Sequence, residues 1–468
     1  MRLMSIICAA LLILSFAAIA SAEVQNVKVS GDLSIYSLWR QHYDLDKDGG
    51  TYTDDAENGF FTVTALQVNA DLTDNVSAVV RVANQRFWDS GETGSYDTTQ
   101  YDLDIDLAYI QIKEMFYSPL TVTIGRQDLW FGKGFIVGTK MIDPELGLAE
   151  GSDWAGTEYT EFTAFDAIRA TLDYDPWTID LVYSKIYEED ITDTDPVNDD
   201  TDLYGVNVGY QFDSYNGEAE AYFWWKHDRQ GLDTMRDKIN TIGTVGGRGS
   251  FDPVENATIG LEGAFQFGDY FSTAAYTADS SYNHTRSRRA WAADASAEYR
   301  WPTWTWKPKV GIEYIYYSGE KNLEAGSTDE WNGWDPIYRG KFDTAIREFQ
   351  NLFYTTAVMS SALIQNQNSG FSNQHQIIVF GQIKPAEDLT LDARWAYFLL
   401  AEEYNTGVEA TTAGSDEVGC ELDLQLTYDY TEDLSFGLLT AWFWPGDLYA
   451  SGHDDVAADV VASAKLSF

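Results

Sequence analysis

The sequence predicts an all-β chain: a transmembrane antiparallel β-barrel of about 18 strands, of the bacterial outer-membrane type. Three observations predict it. The last thirteen residues alternate as a membrane strand should, the first residues read as a secretory leader, and the connections between alternating segments are by turns short and long.

The C-terminal pattern is the clearest. Val456, Ala458, Val460, Ala462, Ala464, Leu466 and Phe468 form one apolar row, while Ala457, Asp459, Val461, Ser463, Lys465 and Ser467 form a mostly polar one. A period of two describes a strand with one apolar and one wet face. Ending on an aromatic residue, it resembles the closing strand of an outer-membrane barrel.

At the other end, Arg2 precedes an apolar run from Leu3 to Ala20, and Ala20-Ser21-Ala22 supplies a small-residue cleavage site before Glu23. This is the form of a signal peptide over 1–22, with a single barrel domain expected over 23–468; an uncleaved anchor is the alternative reading. Once Cys8 is removed with the leader, Cys420 stands alone and no intrachain disulfide is possible.

Composition narrows the class. With 74 acidic against 30 basic residues the net charge is −44, which argues against nucleic-acid binding. An aromatic content of 15% and near-continuous alternation argue against disorder. After Ala22 no apolar run is long enough for a membrane helix, which needs about 18 residues. A barrel hides its apolar residues in alternation, so its hydropathy resembles that of a soluble protein.

Alternating segments recur along the whole chain. Clear ones run from Val27 to Trp39, Val76 to Gln85, Leu103 to Tyr109, Ala167 to Tyr174, Trp177 to Tyr183 and Tyr204 to Phe212. The series continues from Ala257 to Phe267, Trp291 to Tyr299, Leu389 to Leu399, Cys420 to Tyr430 and Leu434 to Trp444. Glycine-rich Ile239 to Phe251 is the weakest. Tyr174, Trp177, Tyr210, Trp225, Tyr299, Tyr430 and Trp444 sit near segment ends, where aromatic girdles belong; core aromatics of a soluble all-β protein are the alternative. Tight connections at 73–75, 175–176, 302–304, 385–387 and 431–433 alternate with long polar ones at 41–59, 89–101, 131–162, 188–202, 229–238, 269–287, 319–371, 401–416 and 445–455. Nine long connections imply nine up-down strand pairs. In the longest, 319–371, Ile346, Phe349, Leu352 and Phe353 fall at helical spacing and continue to Met359 and Leu363. That loop is a candidate lid or plug, or else a helix packed on the rim.

If the apolar row faces lipid, its partner row faces the lumen. That rule sends Arg81, Arg169, Arg248, Arg300 and Arg394 inward, together with Asp104, Asp106, Glu218, Glu220, Glu262, Asp294, Glu298, Asp392, Glu421 and Asp423. Arginine suits a carboxylate-bearing solute because its planar fork makes paired, charge-assisted hydrogen bonds. Equally, these arginines could pair with the lumen carboxylates and brace the wall. Arg126 shares parity with Val122 and Ile124, which would turn it to lipid. A bulge at Gly125 that restores it to the lumen is expected, with Asp166 as partner; a position above the membrane is the alternative.

Two acidic loops remain. Asp44, Asp46, Asp48 and Asp55 match the spacing of a calcium loop around Gly49, although Asp55 is short for a twelfth ligand and no flanking helices are evident. A solvated acidic loop is the plainer reading. Asp193, Asp195, Asp199, Asp200 and Asp202 form the second, and either could bridge lipopolysaccharide phosphates through divalent ions. No other cofactor is expected. The five histidines fall in loops or at strand ends, no catalytic motif is present, and an enzyme is not expected. Only His227 with Asp228, or His453 with Asp454 and Asp455, could form a catalytic pair.

Several islands are similar to the alginate-export family of outer-membrane proteins. They are Ile124 to Gly132 with Gly134 and Val137-Gly138, Asp153-Trp154, Phe165 to Arg169, Trp334 to Tyr338, Asn373-Gln374-His375, Glu421-Leu422-Asp423 and Pro445-Gly446-Asp447. The resemblance implies an eighteen-stranded barrel whose arginine-bearing lumen passes an anionic polysaccharide or smaller solutes. Outer-membrane lipid, lipopolysaccharide and periplasmic export components would be its partners. The expected function is therefore passive diffusion through a channel. The alternatives are a general, weakly cation-preferring porin or a secreted acidic glycan- or calcium-binding protein.

Overall fold

The computed structural model describes residues 26–43, 45, 56–88, 103–139, 159–188, 200–229, 240–271, 285–321, 329–349, 371–403, 414–449 and 451–468. Strands appear in the order β1 (Asn26–Gln41), β2 (Ala56–Thr73), β3 (Val76–Phe87), β4 (Asp104–Lys113), β5 (Leu120–Gln127) and β6 (Phe165–Asp173). Then come β7 (Trp177–Tyr187), β8 (Thr201–Phe212), β9 (Gly217–Asp228), β10 (Asn240–Val254), β11 (Ala257–Tyr270), β12 (Arg286–Arg300) and β13 (Lys309–Tyr317). A two-residue β14 (Glu330–Trp331) precedes β15 (Gln374–Ala386), β16 (Leu389–Leu400), β17 (Glu417–Asp429), β18 (Leu434–Pro445) and β19 (Ala457–Ser467).

Apart from β14, each strand pairs antiparallel with its neighbours, and β1 pairs with both β2 and β19, so the sheet closes as an 18-stranded barrel. Closure leaves no free edge, which a sheet in lipid requires. At the seam Phe468 N–H donates to Gly31 O and Gly31 N–H to Phe468 O, both at 2.9 Å. The Phe468 ring lies where a Gly31 side chain would be, with a Cβ there only 2.6 Å from Cζ, so any larger residue would have to push the ring aside. The glycine-rich segment is a strand, β10, and the long connections coincide with the nine expected.

Alternation sorts the two faces. On β13, Val310, Ile312 and Tyr314 are exposed outward, while Glu313 and Ile315 are buried inside. On β15, Ile377 and Val379 face out and Ile378 in. Exposed large apolar side chains in such number require an apolar solvent, and an outer-membrane barrel presents such a belt to lipid. Aromatic pairs edge the belt: Trp177 with Tyr210 (4.6 Å between centroids) near the short turns, Tyr183 with Tyr204 (5.2 Å) and Phe265 with Trp291 (4.3 Å) towards the long loops.

The interior is not an empty tube. Among the described residues, two main stretches of long loop fold into its loop-side half, 128–139 after β5 and 331–349 from the end of β14. They pair with each other: Tyr338 N–H donates to Ile136 O (3.1 Å), Gly138 N–H to Tyr338 O (2.8 Å) and Gly340 N–H to Gly134 O (2.8 Å). Leu129, Phe131, Phe135, Ile136, Val137, Trp334, Ile337, Tyr338 and Ile346 are buried there against wall residues such as Trp224, Tyr317, Phe398 and Phe443. Each such side chain contributes about 1.5–3 kcal/mol by burial, so apolar packing holds the loops more than any ion pair. Among the described residues, the helical spacing expected from Ile346 onward begins with a five-residue π-helical turn at Ala345–Phe349, whose backbone is bound by β17. Positions 350–370 lie outside the described residues, as do the leader at 1–22 and the acidic positions Asp44, Asp46, Asp48, Asp55, Asp193, Asp195 and Asp199.

A constricted lumen as candidate functional site

The arginines expected in the lumen are bound to the protein's own oxygens. Arg81 reaches Asp106 (2.9 Å), Glu161 (3.2 Å) and Asp32 (3.3 Å). A bulge at the β3–β4 pairing turns both Asp106 and Leu107 inward, which puts Asp106 under Arg81. Arg169 Nε donates to Asp180 Oδ1 at 2.8 Å, and its guanidinium lies 4.9 Å from the Phe131 ring centroid. Arg248 donates to Glu220 and Glu218, both at 2.8 Å. Arg300, at the short-turn end of β12, pairs with Glu298, and Arg394 donates to the Asp343 carbonyl.

Arg126 departs from expectation. The pairings of β5 with β4 and β6 run without a shift through Gly125, so no bulge returns Arg126 to the lumen row. It stays in the row of exposed Ile124, opposite Ala108 and Asp166, and Nη1 donates to Asp166 Oδ2 at 3.1 Å. Both residues lie at the loop-side ends of their strands, where a charged pair can leave the apolar belt. The residue turned inward is Gln127, buried and donating to Ala167 O at 2.9 Å. Gly125 adopts φ +121°, a conformation open to glycine, and an added Cβ would collide with Ala108 O on the neighbouring strand.

The loops bring charges that strand parity does not reveal. Lys341 Nζ donates to Asp294 (2.7 Å) and Glu313 on the wall and lies 3.0 Å from Asp343. Arg339, fully buried, pairs with Asp343 at 3.1 Å and stacks within 5.5 Å of Phe135, Tyr317 and Phe371. On β17, Glu421 accepts the backbone N–H groups of Ile346 (2.6 Å) and Arg347 (2.9 Å), and Asp423 accepts that of Ala345 (3.1 Å). Burial would raise the Asp343 carboxyl, but Lys341, Arg339 and Arg394 outweigh it and hold its pKa below the ordinary value. Burial followed by repulsion from Asp343 lifts Glu348 to about 7.

Between the inserted loops and the short-turn end of the wall lies a cavity of ≈ 940 Å³. Trp130, Lys133, Arg300, Lys309, Lys341, Phe342 and Arg394 line it, with the carboxylates of Glu298, Glu313, Asp392 and Asp423 and with Ser250, Thr258, Ser296 and Gln425 as polar wall groups. Among the described residues Lys133 and Lys309 have no carboxylate partner: Lys133 Nζ donates to Ser296 Oγ (3.2 Å), and Lys309 lies 5.7 Å from the Phe380 ring centroid. Parity reasoning missed Lys133, Lys341 and Trp130 because they are loop residues. The available signal was the density of glycines at 132, 134, 138 and 340, where the two loops approach each other and the wall.

A family model described as alginate export matches residues 32–463. No curated relative matches the chain in sequence. Solved structures share the fold. OccAB1 of Acinetobacter baumannii superposes with a TM-score of 0.57 at 12% identity, covering 96% of this chain and 99% of that one. The outer membrane protein OpdK of Pseudomonas aeruginosa gives 0.54 at 10% identity over 95% and 100% of the two chains. OccK2 (OpdF) of the same organism, in complex with glucuronate, gives 0.52 at 9% over 96% and 100%. Family and fold, with the apolar belt, place the chain in the Gram-negative outer membrane as a channel for small solutes or polysaccharide.

Proposed function

Because the chain belongs to the alginate export family, we propose that it passes small acidic sugars and their short oligomers by passive diffusion, selecting them in the cavity beneath the inserted loops. One observation carries this reading. The wall arginines are committed to the protein's own oxygens, whereas the exposed Lys133 and the half-buried Lys309 border the cavity and, among the described residues, are ion-paired to none of its carboxylates. An acidic solute would be attracted there without first breaking an ion pair. The loops fill the loop-side half of the lumen, which favours short permeants over a long polymer unless segment 331–349 moves. The solved relative in complex with glucuronate supports the same solute class.

The lumen also carries Glu262, Asp294, Glu313, Glu421 and Asp423, and this excess of acid favours a second reading, a weakly cation-preferring porin. Planar bilayers decide between them. Under a salt gradient, an anion-directed reversal potential with current blocked by oligoglucuronate is expected. Cation-directed current indifferent to the sugar acid would overturn the first reading in favour of the second.

A further inference from the structure

We infer that Trp130 and Lys133 form a sugar-acid subsite, the indole as a stacking platform for a pyranose ring and the ammonium as the partner of its carboxylate; this rests on the channel reading above. The indole is held in one orientation. Its Nε1–H donates to Gly132 O at 3.1 Å, and backbone crowds it at Gly134, Gly138 and Gly340, where an added Cβ would fall 2.7, 3.0 and 2.7 Å from ring carbons. Even so, the side chain is 51% exposed, and it borders the cavity. A wall-packed tryptophan with no role beyond packing would be covered; this one is fixed and open, which presents apolar area at little entropic cost.

Lys133 follows across the tight turn closed by Gly134 N–H to Phe131 O (2.9 Å). Its ammonium rests by Ser296 over Gly260, a position without a side chain to cover it. The cavity falls within the roughly 300–1,000 Å³ of small-molecule sites. Hydroxyl-bearing Ser250 and Thr258 on its wall suit a polyhydroxylated ring better than a plain aromatic acid. The site therefore asks for a flat C–H face, hydroxyls and one acid group together.

The test is calorimetry on the detergent-refolded full chain with glucuronate, with gluconate (an open-chain acid of equal charge) and with glucose, alongside bilayer currents. Glucuronate should bind about tenfold tighter than gluconate, a margin that W130A removes and W130F largely keeps. K133A should bring glucuronate down to glucose. G340A, which leaves both residues in place but presses a Cβ on the indole, should weaken glucuronate as well, with heat-modifiable gel mobility showing that each barrel is folded. Equal binding of glucuronate and gluconate, or unchanged binding in folded W130A, overturns the subsite. If wild type conducts yet shows no preference for glucuronate, the subsite fails and the channel stands. If folded wild type carries no current, the channel reading fails, and calorimetry still decides the subsite.

Discussion

Arg169 and Lys341 are both cations held by lumen carboxylates, but they belong to different machinery. Arg169 and Asp180 sit on adjacent strands, β6 and β7, whose backbones are already joined by the ladder, so their pair braces a wall that would stand without it. Lys341 lies on an inserted loop and reaches Asp294 and Glu313 on β12 and β13, a contact that exists only while the loop is docked. Charge pairs within the wall set the field of the lumen. Those between loop and wall set how much of the lumen is open.

That contrast can be broken most forcefully at Lys341. K341A leaves Asp294, Glu313 and Asp343 facing one another, and removing one partner of a buried charge cluster costs about 3–5 kcal/mol. Segment 339–349 should loosen while Trp334 to Tyr338 stays packed. Single-channel conductance should rise, with faster amide exchange at 345–349; unchanged conductance would show that the segment is not part of the constriction. E421Q comes next. It keeps one acceptor oxygen but puts an amide NH2 in place of the other, so one of the buried N–H groups of Ile346 and Arg347 loses its partner, for a loss of roughly 1–3 kcal/mol of docking, again read as conductance.

R169A should do the opposite in kind. With Asp180 left only its hydrogen bond from Thr171 Oγ1 (2.6 Å), the barrel loses roughly 1 kcal/mol, since Arg169 is partly open to water and screened. Conductance should hardly change while the reversal potential moves towards cations. A large conductance change there would erase the distinction between wall and loop.

The smallest effect is titration of Glu348. Its docked pKa of about 7 exceeds its ordinary 4.5, so the docked loop binds the proton more tightly than the released one. Docking is therefore strongest at acid pH, weakens as pH rises from about 4.5 through 7, and levels off near pH 8, with about 1 kcal/mol of the change falling between pH 6 and 8. Conductance should rise modestly across that window, and E348Q should flatten the profile.

Most of the barrel was legible because lipid enforces a strict rule. Every strand must turn apolar groups outward, so the period of two in segments such as Val456 to Phe468 survives in the sequence, and the lengths of the connections reveal which end faces the periplasm. Parity carried Arg81, Arg169 and Arg248 to the lumen for the same reason. It missed how a bulge at Asp106 could put that residue directly under Arg81, and it expected a bulge at Gly125 that the register does not have. A one-residue shift depends on the neighbouring strand, which no local pattern records.

By itself, then, the sequence determined the closed membrane barrel, its up-and-down order, and the mixed charge of its inner face, since each follows from local alternation against a uniform apolar solvent. Tertiary structure alone decided what fills the lumen. Trp130 and Lys133 lie far in the chain from Lys341 and Glu348, on two loops without periodicity. They acquire meaning only when two inserted segments pair with each other and bury their apolar side chains against strands from across the barrel. Contacts between residues so distant in sequence are set by packing of the whole, where no local rule applies.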